Sequence, residues 1–309
     1  MSDRLAVDLA GLSLKNPLLA ASGTFGYGVE YEGLLDLSTL GGIVSKGLYL
    51  EPRDGCDVPR IVETPSGLLN AIGLQGVGVR VFVDDVLPRL EKYDTAVVVN
   101  VCGDTVDEYA EVTRILEDAP GVDAVEINIS CPNVKKGGMA FGGDPRMTHE
   151  VVSAVRRATR RPVIPKLSPN VSDITVFARV CEEAGASAVS CINTLLGLVV
   201  DVEKRRPRLA FGTGGLSGPA IRPIAVRMAW QAARAVRIPV IGIGGITCAE
   251  DALEFLIAGC RAVQVGTANF VDPGVYERIN SGLTAYLDRH GLASIRDVVG
   301  TLQYPGETR

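Results

Sequence analysis

The run Glu126-Ile127-Asn128-Ile129-Ser130-Cys131-Pro132-Asn133 gathers a carboxylate, carboxamides, a hydroxyl and a thiol at the end of an apolar stretch. A thiol has an ordinary pKa of about 8.5, so a site that stabilises thiolate lets it accept a proton near neutral pH. A serine hydroxyl cannot do this as readily. On its own Cys131 reads equally well as a buried structural thiol. Similar apolar runs end at Ser22, Lys46, Asn100, Lys166 and Asn193-Thr194. Any one asparagine here reads as a turn residue, but the set reads as a rim that handles a polar ligand. A desolvated lysine needs a nearby anion to stay charged. For Lys46 and Lys166 that anion is either a bound ligand or a rim carboxylate such as Glu126. The two histidines, His149 and His290, stand at no strand end. The acid–base work of an enzyme built this way falls to another group.

Two glycine turns add a second kind of site. Gly242-Ile243-Gly244-Gly245-Ile246-Thr247 and Val265-Gly266-Thr267 follow the last two apolar runs. Glycines let the backbone approach an anion, and amides at a helix start then hold it. The dinucleotide fingerprint needs G-x-G-x-x-G and an acidic residue about 20 positions on, which is absent. The pattern therefore suits a mononucleotide-type phosphate such as FMN. A reduced flavin is anionic at its N1–C2 edge, and a lysine there stabilises the product of hydride acceptance.

These residues need elements that bring them together. Nearly continuous apolar runs occur at Pro17–Ala21, Gly42–Lys46, Ala96–Val101, Ala124–Ile129, Pro162–Leu167, Ala188–Asn193, Pro239–Gly244 and Ala262–Gly266. Such runs suit parallel strands buried on both faces. Helical stretches lie between them. Asp104–Glu117 and Ser172–Ala184 begin with the N-cap candidates Asp104 and Ser172, and Gly185 and Gly259 suit helix C-termini. The expected fold is α/β, a (β/α)₈ TIM barrel, with one domain over residues 1–309. Such a barrel carries its chemistry at the C-terminal ends of its strands and its phosphate site after strands seven and eight. Leu5–Leu14 alternates around Gly11 and reads as a hairpin plugging the barrel bottom. Two strand-to-strand intervals reach roughly 50 residues, with the excess at Gly47–Val79 and Leu195–Pro219. Long loops there carry substrate contacts or lids. Gln303–Arg309 reads as a frayed tail.

Composition removes several classes of function. The net charge of −5 provides no basic patch for nucleic acid. No apolar run reaches the roughly 18 residues of a membrane span. The start, Met1-Ser2-Asp3-Arg4, leads into strand-like sequence instead of a signal peptide, so a cytoplasmic protein is expected. The seven cysteines, Cys56, Cys102, Cys131, Cys181, Cys191, Cys248 and Cys260, contain no CxxC pair. Their spacing argues against a disulfide framework and against a zinc or iron–sulfur site, so no metal is expected.

Ala21-Ser22-Gly23-Thr24-Phe25-Gly26, Lys46-Gly47, Asn70-Ala71-Ile72-Gly73-Leu74, Ile129-Ser130-Cys131-Pro132-Asn133, Lys166-Leu167-Ser168-Pro169-Asn170, Asn193-Thr194 and Gly214-Gly215-Leu216-Ser217-Gly218 together resemble the class 1 dihydroorotate dehydrogenases nearly end to end. The resemblance implies an FMN-containing barrel that oxidises (S)-dihydroorotate to orotate in pyrimidine biosynthesis. It implies that Cys131 removes the C5 proton and that FMN takes the C6 hydride. It implies FMN contacts from Ser22, Lys46, Gly47, Asn100, Asn128, Lys166, Ile192, Gly218, Gly244, Gly245, Gly266 and Thr267. It implies substrate contacts from Lys46, Asn70, Ala71, Ile72, Gly73, Leu74, Asn128, Asn193 and Thr194. The loop Pro132–Gly143, with paired glycines, is expected to close over Cys131. Class 2 enzymes use serine as the base and carry a membrane extension, and this sequence has neither.

Lys135-Lys136-Gly137-Gly138-Met139-Ala140-Phe141-Gly142 and the stretch Gly215 to Ile221 are most similar to the NAD-linked class 1B branch. That branch implies a homodimer flanked by partner subunits carrying FAD and a 2Fe–2S cluster, a heterotetramer. Alternatives are the fumarate-linked homodimer of class 1A, a related FMN enzyme reducing a pyrimidine or enone with Cys131 as the acid, and a ligand-binding barrel without catalysis.

Overall fold

Eight parallel strands close into a barrel, and each expected apolar run contributes one. The structure is a computed structural model describing residues 3–130, 132–133 and 139–306. A hairpin of β1 (Val7–Leu9) and β2 (Leu12–Leu14) opens the chain. Its turn needs Ala10 and Gly11 at positive φ, which glycine adopts without strain. Val7, Leu9 and Leu14 of the hairpin are buried in the main core, and it runs directly into the first barrel strand.

The barrel consists of β3 (Leu18–Ala20), β4 (Gly42–Val44), β7 (Ala96–Val101), β8 (Ala124–Asn128), β11 (Val163–Leu167), β12 (Val189–Cys191), β17 (Val240–Ile243) and β18 (Ala262–Val265). They pair in that order and β18 closes on β3. Their burial is nearly continuous because helices cover the outside and side chains fill the inside.

Helices between the strands start where short polar side chains accept from freed amides. Helix Val106–Glu117 is capped by Thr105, whose side chain accepts from the Glu108 amide. The expected cap, Asp104, instead pairs with Arg53. Helix Ile174–Glu183 is capped by Asp173, not Ser172, because Asp173 reaches the Thr175 amide at 2.9 Å. Gly185 (φ 91°) and Gly259 (φ 115°) follow helix ends as expected.

The two long segments are not loops. Between β4 and β7 lie β5 (Ile61–Thr64) and β6 (Gly67–Asn70). Between β12 and β17 lie β13 (Leu195–Gly197) and β16 (Gly214–Ser217), with a small hairpin, β14 (Val200–Asp201) and β15 (Arg206–Pro207), between those two. Strands β13, β16, β6 and β5 form one antiparallel sheet, so the two insertions fold against each other. Val62, Leu69 and Leu209 give this sheet its own small core.

Backbone strands β9 (Pro132–Asn133) and β10 (Met139–Ala140) pair as a hairpin. Cys131 and residues 134–138 lie outside the described residues, and with them the expectation that Pro132–Gly143 closes over Cys131. The expected frayed tail is tied at one point, where Tyr304 stacks on Trp230 with ring centroids 4.8 Å apart. Among the described residues no helix is long and apolar enough to cross a membrane.

Candidate active site

The barrel strands deliver their terminal polar residues to one end, and the four-stranded sheet stands over that end. Two cavities result. The inner one has walls from Ser22, Gly23, Thr24, Lys46, Gly47, Asn100, Asn128, Lys166, Asn193 and Thr194 of the barrel. Asn70, Ile72, Leu74 and Ser217 close it from the sheet side. The outer cavity shares Asn70, Ile72, Leu74, Asn128, Asn193 and Thr194 and adds Ala71, Gly73, Ser130 and Gly215. Every expected substrate contact thus lines one or both cavities.

Local geometry fixes these side chains. Asn128 Oδ1 accepts from the Ser130 amide at 3.3 Å and faces Asn193 Nδ2 at 3.5 Å. Tyr109, from the helix behind, donates to the Asn128 carbonyl at 2.6 Å. Asn193 Oδ1 accepts from the Thr194 amide at 2.8 Å. Asn70 Nδ2 donates to the Gly215 carbonyl at 3.2 Å, joining β6 to β16 at the cavity wall. Gly215 must lack a side chain, because a Cβ there would sit 2.1 Å from Thr194 Oγ1. Leu74 follows Gly73 with both at positive φ, a tight bend that turns residues 70–74 along the wall.

Two cations face the inner cavity. Lys166 is 5% exposed, with Nζ 3.3 Å from Ser22 Oγ and 4.0 Å from Glu126 Oε1. The rim-carboxylate reading of this lysine holds, since it meets Glu126, and its place on the cavity wall leaves it open to a bound anion as well. Lys46 is half-buried, and its pKa is lowered, first by burial, with Glu30 opposing and Arg60 adding to the shift. An anion in the cavity would favour its charged form.

The remaining expected cofactor contacts lie behind the inner wall. Ile192 is buried and its amide donates to the Ile243 carbonyl. Gly218 follows the wall residue Ser217, and Thr267 Oγ1 lies 2.8 Å from Ser217 Oγ. Gly245 packs against Gly218: a Cβ on it would stand 2.8 Å from the Gly218 carbonyl oxygen. Gly244 has the same crowding against Ala225 Cβ at 2.7 Å, and Gly266 lies near Thr24. Strand ends seven and eight thus meet β16 beside Ser217. The Thr247 and Cys248 amides at the start of helix Ala249–Ile257 already donate to Asp251. An anion at this end would be held by the glycine turns and not by the Thr247 and Cys248 amides.

This donor set fits FMN. A glycine-lined end accepts a phosphate closely, and buried Lys166 and Asn100 offer hydrogens to the polar edge of a flat ring. Gly47 belongs to the same cradle, because a Cβ there would meet Cys102 Sγ at 2.6 Å and Asn100 Oδ1 at 3.0 Å. Cys131 lies outside the described residues, while Ser130 before it lines the outer cavity.

Sequence reasoning left out several cavity residues. Arg53 and Asp104 line the outer cavity as an ion pair, with Arg53 also 3.5 Å from the centre of the Tyr49 ring. Asn170 fixes the 193–196 turn, donating to the Thr194 carbonyl and accepting from the Leu196 amide. Phe270 and Phe211 contribute apolar walls. Asn170 follows Lys166-Leu167 at a strand end and was within reach of that argument. The aromatics and Arg53 carry no local signal. His149 and His290 sit exposed on helices. Burial raises the Cys181, Cys191 and Cys260 thiols well above their ordinary range, as inert core groups.

Comparison with known proteins agrees with this geometry. The family pattern described as dihydroorotate dehydrogenase matches residues 4–287. The catalytic subunit of dihydroorotate dehydrogenase B (NAD(+)) from Geobacter sulfurreducens is 56% identical over 299 residues, 97% of this chain and 98% of that protein. The protein of the same description from Geotalea uraniireducens is 54% identical over 298 residues, 96% of this chain and 98% of its own length. That of Pelobacter propionicus is 54% identical over 303 residues, 98% of this chain and 100% of its own.

Proposed function

We propose, from the premise that this chain belongs to the dihydroorotate dehydrogenase family, that it oxidises (S)-dihydroorotate to orotate in pyrimidine biosynthesis. The observation that carries this reading is the meeting of Lys46, Asn128, Lys166, Asn193 and Thr194 from the barrel with Asn70, Ile72 and Leu74 from the sheet around shared cavities. Asparagine carboxamides donate and accept at once, as a pyrimidine ring edge requires. Lys46 supplies the charge that a substrate carboxylate needs. Forming the C5–C6 double bond removes a proton from C5 and a hydride from C6. FMN, bound at the inner cavity, would supply the hydride acceptor.

The residues of this chain do the rest. Cys131, as thiolate, would take the C5 proton. Asn70, Asn128, Asn193 and Thr194 would orient the ring, with Ala71 to Leu74 forming the wall over it. Ser22, Lys46, Gly47, Asn100, Asn128, Lys166, Ile192, Gly218, Gly244, Gly245, Gly266 and Thr267 would hold FMN. The ammonium of Lys166 would stabilise negative charge at the polar ring edge.

The same proposal makes this chain the catalytic subunit of an NAD-linked assembly in the cytoplasm, within a single domain over residues 1–309. The partner subunit would carry FAD and a 2Fe–2S cluster, and two copies of this chain would form a homodimer at the centre of a heterotetramer. The insertions expose apolar side chains that such assembly would cover, including Val202 (77% exposed) and Phe211 (67%).

The test is Cys131→Ala. We expect FMN and orotate binding to persist while flavin reduction by dihydroorotate falls by several orders of magnitude in stopped-flow absorbance. Reduction at the wild-type rate would remove Cys131 as the base. Purification from the native host tests the acceptor. Co-purification with an FAD and iron–sulfur subunit supports the NAD-linked assembly, whereas a lone dimer active with fumarate reverses it.

A further inference from the structure

Glu126 is fully buried on β8, and neither cavity includes it in its walls. Its Oε1 accepts from Asn100 Nδ2 at 2.7 Å and lies 4.0 Å from Lys166 Nζ. Its Oε2 accepts from Ser190 Oγ at 2.9 Å and from Gln264 Nε2 at 2.7 Å. These partners come from β7, β11, β12 and β18, so one carboxylate joins four other strands inside the barrel. All of them offer hydrogens. An ionised carboxylate accepts at both oxygens, whereas a protonated one would turn its own O–H toward a donor. The arrangement suits the charged form.

Stability does not explain this group. A buried charge is costly, and well-packed apolar residues of similar volume often serve a core as well or better. The chemistry of its neighbours does explain it. Asn100 and Lys166 both face the inner cavity, and Glu126 holds both from behind. Lys166 Nζ sits between Ser22 Oγ on the cavity wall and Glu126 in the barrel interior. A flexible ammonium stem is thereby given one direction. Asn100 likewise donates one amide hydrogen to Glu126, and its Oδ1 accepts from Cys102 Sγ at 3.7 Å, which fixes how the carboxamide is turned and leaves its second hydrogen for the cavity.

We propose that Glu126 is a positioning residue of the flavin site: its carboxylate fixes the Lys166 ammonium and the Asn100 carboxamide against the inner cavity and offsets the lysine's charge there. This rests on reading that cavity as an FMN site. A glutamine at position 126 keeps the shape but presents one acceptor and one donor to partners that all donate. Lys166 then loses its counter-charge and its fixed direction.

The experiment measures FMN binding to apoprotein by quenching of flavin fluorescence, for wild type, Glu126→Gln, Lys166→Met and the double variant. The midpoint potential of the flavin-loaded proteins is measured alongside. We expect Glu126→Gln to weaken FMN binding at least tenfold and to shift the potential. We expect Glu126→Gln to add a smaller loss in the Lys166→Met background than it causes alone, the part that acts through Asn100. An equal additional loss in the Lys166→Met background overturns the proposal, because Glu126 would then act independently of the lysine. Unchanged affinity and potential in Glu126→Gln overturn it too. If Glu126→Gln does not fold, Glu126→Asp keeps the charge but draws it back, and the same two outcomes decide. Wild-type apoprotein that binds no FMN would instead sink the reading of the cavity.

Discussion

The rim of the barrel and the sheet above it meet at the same cavities but are built differently. The rim is made of parallel strand ends whose backbones are buried and whose partners lie on both sides. Its polar side chains are locked by bonds reaching deep into the barrel, as with Lys166, Asn100 and Glu126. The sheet is antiparallel and stands on a small core of Val62, Leu69 and Leu209, with exposed apolar side chains on its surface. The difference fits the proposed roles: the deep part suits a resident cofactor, and the shallower part suits a substrate that must come and go.

This contrast is open to direct attack. Gly245→Ala should have the largest effect. It forces a side chain into positive φ and against the Gly218 carbonyl. Strain of about 1–3 kcal/mol at the glycine end should weaken FMN retention by roughly tenfold to a hundredfold, measured by flavin release on gel filtration. Retention at the wild-type level would show that the rim is not the cofactor side.

Leu69→Ala attacks the sheet. Removing this buried side chain should destabilise the sheet by about 2–4 kcal/mol. Hydrogen exchange should rise at β5, β6 and β16 while the barrel strands stay protected. KM for dihydroorotate should rise with FMN content unchanged. Equal exchange in both regions would mean that sheet and barrel unfold as one.

Lys46 sharpens the comparison at the boundary. Burial lowers its pKa from the ordinary 10.5, so it loses its proton at a lower pH than a free lysine. The protonated form attracts an anion. Orotate affinity should therefore fall as pH rises, beginning below the range of an ordinary lysine. Lys46→Met should lower affinity and remove that alkaline limb. An identical limb in the variant would assign it to another group.

The smallest effect is expected far from both regions. Tyr304→Ala removes only the stack on Trp230 and should cost about 0.5–1.5 kcal/mol, read as a small drop in thermal midpoint with kinetics unchanged.

The barrel was legible because its signal is local. Strands such as Val240–Ile243 are apolar throughout, and the residue types at the strand ends name the rim. Helix caps misled by one residue at Asp104 and Ser172, since neighbouring short polar residues compete and side-chain reach decides between them. The sheet was not legible as a sheet. Its strands are short, and the pairing that makes them one sheet, Gly67–Asn70 with Gly214–Ser217, joins segments far apart in sequence.

The sequence alone determined the eight-fold alternation, the lysines and asparagines at the strand tips, and Cys131 as the thiol at the end of an apolar strand. Tertiary structure decided which cavity each residue lines. It folded two distant insertions into one wall, sent Thr247 and Cys248 to Asp251, and placed Glu126 behind Lys166. The reason is physical. Periodicity and turn chemistry act over a few residues. The direction of a buried charge is set by donors that only barrel closure brings within hydrogen-bond distance.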